Sequence, residues 1–283
     1  MRFALLLLCG CASFIDEKAA TSTYRILEKS AQAAPRQPDI ELARGAMPGG
    51  IMQLEAFALA YPDQRGFKVL HANMLCQYAV TFVFDDWEDA TLANRRADAE
   101  RVAERLVRLL DSCIDAQRAL LPSRDVAALL PTMTRAQVEP VLWLATAGAV
   151  QLALDPLRNI GQLRLLRAEL ERCVELAPGF RNADAEILLG TLQAGQAAFF
   201  GGADGAAYFE RARALTQKRV LNVDVMFARG VAVARKDRAL FTSTLERVLA
   251  ADVTRWPEQR LANEIARRKA RRYLAAADAL VPR

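Results

Sequence analysis

The chain has 283 residues, 53% of them hydrophobic and 25% charged, which is the composition of a globular protein and excludes a disordered one. The formal net charge of +5 is a small excess for this length and does not indicate a nucleic-acid-binding protein. The chain contains one histidine, His71, and no Cys/His spacing typical of zinc sites, so we expect no metal site.

The first eleven residues have the pattern of a bacterial lipoprotein export signal. An apolar run over residues 3–8 leads into Leu8-Cys9-Gly10-Cys11, in which an aliphatic residue stands three places before a cysteine. This pattern predicts a signal peptide over residues 1–10 and a lipid anchor on Cys11, facing the periplasm or the exterior. An ordinary signal peptide and a chance apolar start are the alternatives. The apolar run is much shorter than the roughly 20 residues that cross a bilayer.

Residues 11–37 are polar and alanine-rich, and predict a lipidated tether followed by a lead-in helix over residues 19–33. Residues 38–283 follow as the folded domain. Apolar residues recur there at intervals of three and four, and period-2 alternation is nearly absent, so the domain is predicted to be all-α. Pro48-Gly49-Gly50 is predicted to break the chain ahead of the first core helix.

Asp85, Asp86, Glu88 and Asp89 gather at the predicted start of a long helix that reaches Cys113. Carboxylates are stabilised at helix starts by the macrodipole and by unpaired N–H groups, so helix capping is the first interpretation. Contact with a partner through Asp85 and Asp86 is the alternative. No nucleophile elbow, phosphate-binding loop or second acidic cluster accompanies them, so we predict no catalytic residue, no cofactor and no enzymatic activity.

The C-terminal half shows a succession of predicted helices. They cover residues 163–176, 183–200, 205–215, 220–234, 238–250 and 258–280. Segments 183–215 and 221–249 overlay at an offset of roughly 36–38 residues, close to the ~34-residue tetratricopeptide period. The sequence therefore predicts an array of helical hairpins with degenerate tetratricopeptide-like repeats.

Three cysteines remain after the predicted signal, namely Cys76, Cys113 and Cys173. Their odd number and irregular spacing favour buried free thiols, with a Cys76–Cys113 bridge as the alternative.

The basic run that includes Arg267, Arg268 and Arg271 lies beside an apolar stripe and predicts a solvated helix face. The same three arginines are candidates for contact with an acidic partner or anionic headgroups.

Aromatic and amide side chains on the predicted repeat helices are candidates for lining a ligand site. Core packing explains each of them singly, but as a group they suit an apolar cavity with a few orienting polar groups, enclosed between residues 143 and 227. The candidates are Trp143, Phe199, Phe200, Tyr208, Asn222 and Phe227.

Several motifs occur in an order that is typical of one protein family. After the lipobox they are Val83-Phe84-Asp85-Asp86, Pro140-Val141-Leu142-Trp143-Leu144-Ala145, Leu154-Asp155-Pro156, Glu175-Leu176-Ala177-Pro178, Leu188-Leu189-Gly190 and Tyr208-Phe209-Glu210-Arg211-Ala212. In this order the chain resembles the TatT component lipoproteins of tripartite ATP-independent periplasmic (TRAP) transporters, over about residues 43–280.

The resemblance implies a helical periplasmic lipoprotein that assembles as a homotrimer and pairs with the transporter's solute-binding P component. It also implies that a hydrophobic or organic-acid ligand passes through a pore in each protomer. A generic tetratricopeptide-like scaffold lipoprotein in envelope assembly is the alternative function.

Overall fold

The computed structural model describes the backbone of residues 4–282 and the side chains of residues 17–282. The predicted lipidation site, Cys11, lies outside the residues whose side chains are described. The described chain folds into α-helices and contains no strand, which confirms the predicted all-α class. None of the described helices has the length and apolar character needed to cross a membrane.

The N-terminal half contains eight α-helices within its described residues. They are α1 (Ala4–Ser30), α2 (Ile40–Ala60), α3 (Arg65–Tyr78), α4 (Phe84–Leu92), α5 (Arg96–Arg118), α6 (Val126–Leu129), α7 (Val138–Leu154) and α8 (Pro156–Asn159). A π-helical turn, Ala79–Val83, joins α3 to α4 without a break in the helical path. Short 3-10 turns lie at Ala34–Arg36, Leu130–Thr132, Arg135–Gln137 and Ile160–Gln162.

The C-terminal half continues with seven helices in its described part. They are α9 (Leu163–Leu176), α10 (Phe180–Phe200), α11 (Ala206–Leu215), α12 (Asn222–Phe227), α13 (Arg238–Ala250), α14 (Arg260–Ala275) and α15 (Ala277–Leu280). A second π-helical turn, Ala228–Ala232, extends α12. Further 3-10 turns lie at Val253–Arg255 and Pro257–Gln259.

Helices that follow each other along the chain pack against each other, as in α2 with α3, α4 with α5, α10 with α11 and α13 with α14. Helix α7 lies centrally, because it contacts α5 on one side and α9 on the other. The core is one series of apolar clusters, beginning around Phe82, Leu106 and Trp143 and ending around Phe241 and Tyr273. Whether the hairpins are true repeats remains a prediction.

The expected break at Pro48-Gly49-Gly50 is wrong, because α2 runs through all three residues. Close packing of α2 against α3 explains the glycine at position 50. A Cβ atom built on Gly50 would lie 2.9 Å from the Met74 Sδ atom, so glycine lets α2 approach α3 closely. Asp39 caps the start of α2, because its side chain accepts hydrogen bonds from the Glu41 and Leu42 N–H groups.

The long helix expected after Asp85 is also divided. Helix α4 ends at Leu92, and Asn94 adopts a positive φ of 56° before α5 begins. Asn tolerates this left-handed conformation better than most residues, so it supports a tight turn between two helices.

The free-thiol expectation is wrong for two of the three cysteines. Cys76 on α3 and Cys113 on α5 form a disulfide bond, and Cys173 is a buried free thiol. The two cysteines are separated by 37 residues but face each other because α3 and α5 pack side by side. The alternative pairing is the correct one, and it fits an oxidising compartment.

Candidate functional site

A partly open cavity of about 300 Å³ is lined by helices from both halves of the chain, and we call it the central cavity. Its walls come from the α3–α4 segment with its π-turn, from α7, from the start of α10, from α12 and from α14. The walls are mainly apolar, with Val80, Phe84, Val150, Ile187 and Ile265 among the side chains. The volume is at the lower end of the ~300–1,000 Å³ range of small-molecule sites.

Trp143 and Asn222 are the two predicted lining residues that reach this cavity. Trp143 is 3% exposed and comes from the middle of α7, whereas Asn222 is the first residue of α12. The cavity lies in the predicted region, but its walls also include residues from α3, α4 and α14, well outside residues 143–227.

The other four predicted lining residues lie elsewhere. Phe227 is buried in the core, where its ring meets Phe209 edge to face with 5.9 Å between centroids. Tyr208 packs, partly buried, against the core formed by α7, α9 and α10. Phe199 and Phe200 are 86% and 88% exposed at the end of α10. Each of these rings lies on a side of its helix that does not face the cavity. The residue types alone do not predict which side of a helix faces a cavity.

Arg181 supplies a charged group to the central cavity that the sequence analysis missed. Its guanidinium carbon lies 3.6 Å from the centre of the Trp143 ring, a stacked cation–π contact. Two carboxylates form loose ion pairs with Arg181, since Asp184 Oδ2 is 3.5 Å from Arg181 Nε and Glu139 Oε1 is 4.0 Å from Nη1. Burial lowers the pKa of Arg181 despite these two carboxylates.

An unusual backbone turn holds Arg181 in this position. Arg181, Asn182 and Ala183 have φ values of 50°, 65° and 64°, and therefore form a left-handed turn of three residues that are not glycine. Each such residue costs roughly 1–2 kcal/mol relative to right-handed helix. The buried Glu186 supports the turn, because its Oε1 atom accepts a hydrogen bond of 3.0 Å from the Gly179 N–H. Strained backbone of this kind is concentrated at functional sites.

Two further charged residues line the same cavity. Asp184 has its pKa raised to about 6 by burial, although Arg181 acts in the opposite direction. Lys269 on α14 already has two carboxylate partners, since its Nζ atom lies 3.7 Å from both Asp85 and Glu88. Arg181 and Lys269 are the two cations of the cavity, and the nearest carboxylate oxygens of both lie between 3.5 and 4.0 Å. In the sequence, only Gly179 indicates a turn here, and no pattern predicts the left-handed conformation of Arg181, Asn182 and Ala183.

Two of the predicted partner-contact residues, Asp85 and Arg268, pair with each other inside the fold. Asp85 is 3% exposed, and its carboxylate accepts hydrogen bonds from Arg268 at 2.8 Å and from Arg272 at 2.5 Å. Burial alone would raise the pKa of Asp85, but Lys269 and Arg272 lower it below its ordinary value. We call Asp85, Glu88, Arg268, Lys269, Arg272 and Tyr273 the Asp85 network.

Helix capping is not the role of these acids. The chain is already helical before Asp85, so its side chain makes no capping hydrogen bond. Asp86 instead forms a two-pronged ion pair with Arg44 of α2. Arg267 lies 3.8 Å from Glu264, and Arg271 is exposed. Buried Asp85 is therefore unavailable to a partner, whereas Arg271 remains on the surface.

Comparison with known proteins agrees with the resemblance noted in the sequence. No curated protein matches the chain. The family model of the TRAP transporter T-component matches residues 36–281, a range that includes every wall of the central cavity. A component of this transporter has a transport role and a cell-envelope location. The chain therefore belongs to the TRAP transporter T-component family.

Proposed function

We propose that the protein associates with the solute-binding P component of a TRAP transporter and assists the uptake of a small organic ligand. The observation that carries this proposal is the central cavity, with mainly apolar walls and a few polar groups, inside the region matched by the family model. In this proposal the protein has no enzymatic activity. It is anchored through a lipid on Cys11, faces the periplasm and assembles as a homotrimer.

The charge arrangement at Arg181 favours a ligand with an apolar body and one carboxylate. Trp143, Ile187 and Ile265 provide apolar surface, while the Arg181 guanidinium provides donors for an acid group. The nearest carboxylate oxygens lie 3.5 and 4.0 Å from the guanidinium of Arg181, so a closer anionic group on a ligand would stabilise its positive charge further. Burial raises the pKa of the Asp184 carboxyl to about 6, so protonation of Asp184 below that pH would free Arg181 for a carboxylate ligand.

Calorimetric titration of the purified full chain with octanoate and with 1-octanol tests the ligand class. We expect Arg181→Gln to weaken octanoate binding at least tenfold and to leave 1-octanol binding unchanged. Arg211→Gln is the matched control, because Arg211 is an exposed arginine on α11 and does not line the cavity. Equal octanoate affinity in all three proteins would contradict a carboxylate ligand held by Arg181.

Association with the P component is tested by co-purification with the cognate P component expressed from the same operon. We expect a stable complex, and a trimer mass by light scattering. A monomer at micromolar concentration that fails to retain the P component would contradict this part of the proposal and favour a generic envelope scaffold.

Anchoring is tested separately with Cys11→Ala. Stable membrane binding needs more than one acyl chain, so loss of the modified cysteine should release the protein from membranes and abolish labelling by a radioactive fatty acid. Unchanged labelling of the Cys11→Ala protein would contradict lipidation at this residue.

A further inference from the structure

A second cavity, of about 670 Å³, lies between α5, α7, α9 and the segment that leads into α6. It shares no lining residue with the central cavity, and we call it the Glu169 groove. Its apolar lining includes Ile114, Leu144 and Leu166. The volume falls in the range of small-molecule sites, ~300–1,000 Å³.

Glu169 is the buried acid of this groove. The residue is 7% exposed, and in the described part of the chain its carboxylate makes no hydrogen bond or ion pair, with Arg118 acting on it only through its charge. A buried carboxylate is costly unless a partner compensates its charge. Glu171, two positions later on the same helix, is half exposed and paired with Arg167 at 2.9 Å. Of these two acids on one helix, Glu171 therefore has an arginine partner and Glu169 has none.

The remaining charges of the groove are mostly acidic. Four carboxylates and two guanidinium groups line it, namely Asp111, Asp115, Asp125 and Glu169 against Arg118 and Arg124. The Asp125 carboxylate is used within the fold, since it accepts a hydrogen bond from the Ala128 N–H at 3.0 Å. Arg118 acts on Glu169 only through its charge, without a hydrogen bond, and its side chain is exposed. The groove therefore has an excess of negative charge and an unpaired acid among apolar side chains.

We propose that the Glu169 groove binds an organic cation with a primary ammonium group, and that the Glu169 carboxylate is its counter-ion. An ammonium group carries three N–H donors and a full positive charge, so it can pair with a carboxylate that lies among apolar side chains. The alkyl part of such a ligand would pack against Ile114, Leu144 and Leu166. A hard metal ion fits less well, because it needs several converging oxygen ligands.

Binding is coupled to a proton. Burial raises the pKa of Glu169 to about 7, against an opposing effect of Arg118. A protonated Glu169 must release its proton to the solvent when the ammonium ion binds, so affinity should increase between pH 6 and pH 8. The other titratable groups facing the groove are Asp111, Asp115, Arg118, Arg124 and Asp125, and α7 contributes none.

The test is calorimetric titration of the full chain, in detergent, with n-hexylammonium chloride at pH 6 and pH 8. We expect saturable binding that is tighter at pH 8 and weakened at least tenfold by Glu169→Gln. Glu171→Gln is the matched control and should bind as the unmodified protein does. Arg181→Gln should also leave hexylammonium binding unchanged, which separates this site from the proposed function of the central cavity.

Arg118→Gln provides a second variant that does not alter a buried residue. Removing this competing cation should strengthen hexylammonium binding two- to tenfold. Absence of binding to the unmodified protein at millimolar ligand, equal binding to the Glu169→Gln protein, or weaker binding to the Arg118→Gln protein would each overturn the proposal.

Discussion

The Asp85 network and the Arg181 corner of the central cavity both hold charged groups inside the protein, but their pairing differs. Asp85 has arginine donors at 2.5 and 2.8 Å, and Tyr273 donates to Glu88 at 2.5 Å. Arg181 has carboxylate oxygens only at 3.5 and 4.0 Å, and it stacks on Trp143 instead. Short ion pairs between helices hold the fold together, whereas a loosely paired charge beside a cavity can bind a ligand.

The location of the two regions agrees with this distinction. The Asp85 network joins α4 to α14 across 183 residues of sequence, between Asp85 and Arg268, and extends to Glu41 of α2. The Arg181 corner instead depends on three residues in left-handed conformation, which cost free energy. Its contacts across the chain are fewer, namely the Arg181–Trp143 stack and a hydrogen bond of 2.8 Å from Gln259 Nε2 to Asn182 Oδ1. We infer that the Asp85 network serves mainly to stabilise the fold, and that the Arg181 corner serves mainly to bind a ligand.

The largest expected effect is on the Asp85 network. Asp85→Asn removes the buried negative charge and leaves Arg272 and Lys269 with fewer partners, so we expect a loss of about 3–5 kcal/mol in the free energy of unfolding. Urea denaturation measures this loss. Asp98→Asn is the matched control, because Asp98 pairs with Arg101 at an exposed site where about 0–1 kcal/mol is typical. A loss below about 1 kcal/mol in the Asp85→Asn protein would contradict a structural role for the network.

An intermediate effect is expected at Glu169, and it depends on pH. The folded-state pKa of about 7 is higher than the 4.5 of a free glutamate, so the folded protein binds this proton more tightly than the unfolded chain. Stability should therefore decrease as pH rises from about 4.5 to about 7, by on the order of 3 kcal/mol, and remain level above that range.

Glu169→Gln should remove this dependence and make the protein more stable than the unmodified one at pH 8. The difference between the two denaturation curves, measured from pH 4.5 to pH 8, isolates Glu169, because Asp184 titrates in both proteins. A difference that stays constant with pH would show that Glu169 is not buried as a free acid.

Helical periodicity was enough to predict much of the fold. The bounds of α9 and α13 match the predicted segments 163–176 and 238–250, because each has an apolar stripe between clear breaks. The break at Pro48 was wrong because tertiary packing of α2 on α3 outweighs local propensity. The π-turns and the split after Leu92 were missed because each alters the helical path over only a few residues, too few to interrupt the apolar pattern of the flanking helices.

The candidate site was harder to predict than the fold. Trp143 and Asn222 were found because an aromatic ring and an amide on inner helices are typical of ligand sites. Arg181 was missed because its position depends on a left-handed turn that no local pattern specifies. The pairing of Asp85 with Arg268 was missed because a single sequence does not show which of its charged clusters meet after folding.

The smallest expected effect on stability is at Arg181, and it is the sharpest test of the comparison. Arg181→Ala removes a cation–π contact of roughly 0.5–2 kcal/mol, but it also removes the desolvation cost of a weakly paired guanidinium. We therefore expect a net change in the free energy of unfolding below about 1 kcal/mol. Arg272→Ala is the contrasting variant, because it takes the closest donor from buried Asp85 and should cost several times more. Urea denaturation of both proteins, with octanoate titration of the Arg181→Ala protein, gives the two measurements needed. Equal losses of stability in both variants, with octanoate binding retained after Arg181→Ala, would show that Arg181 is another structural charge.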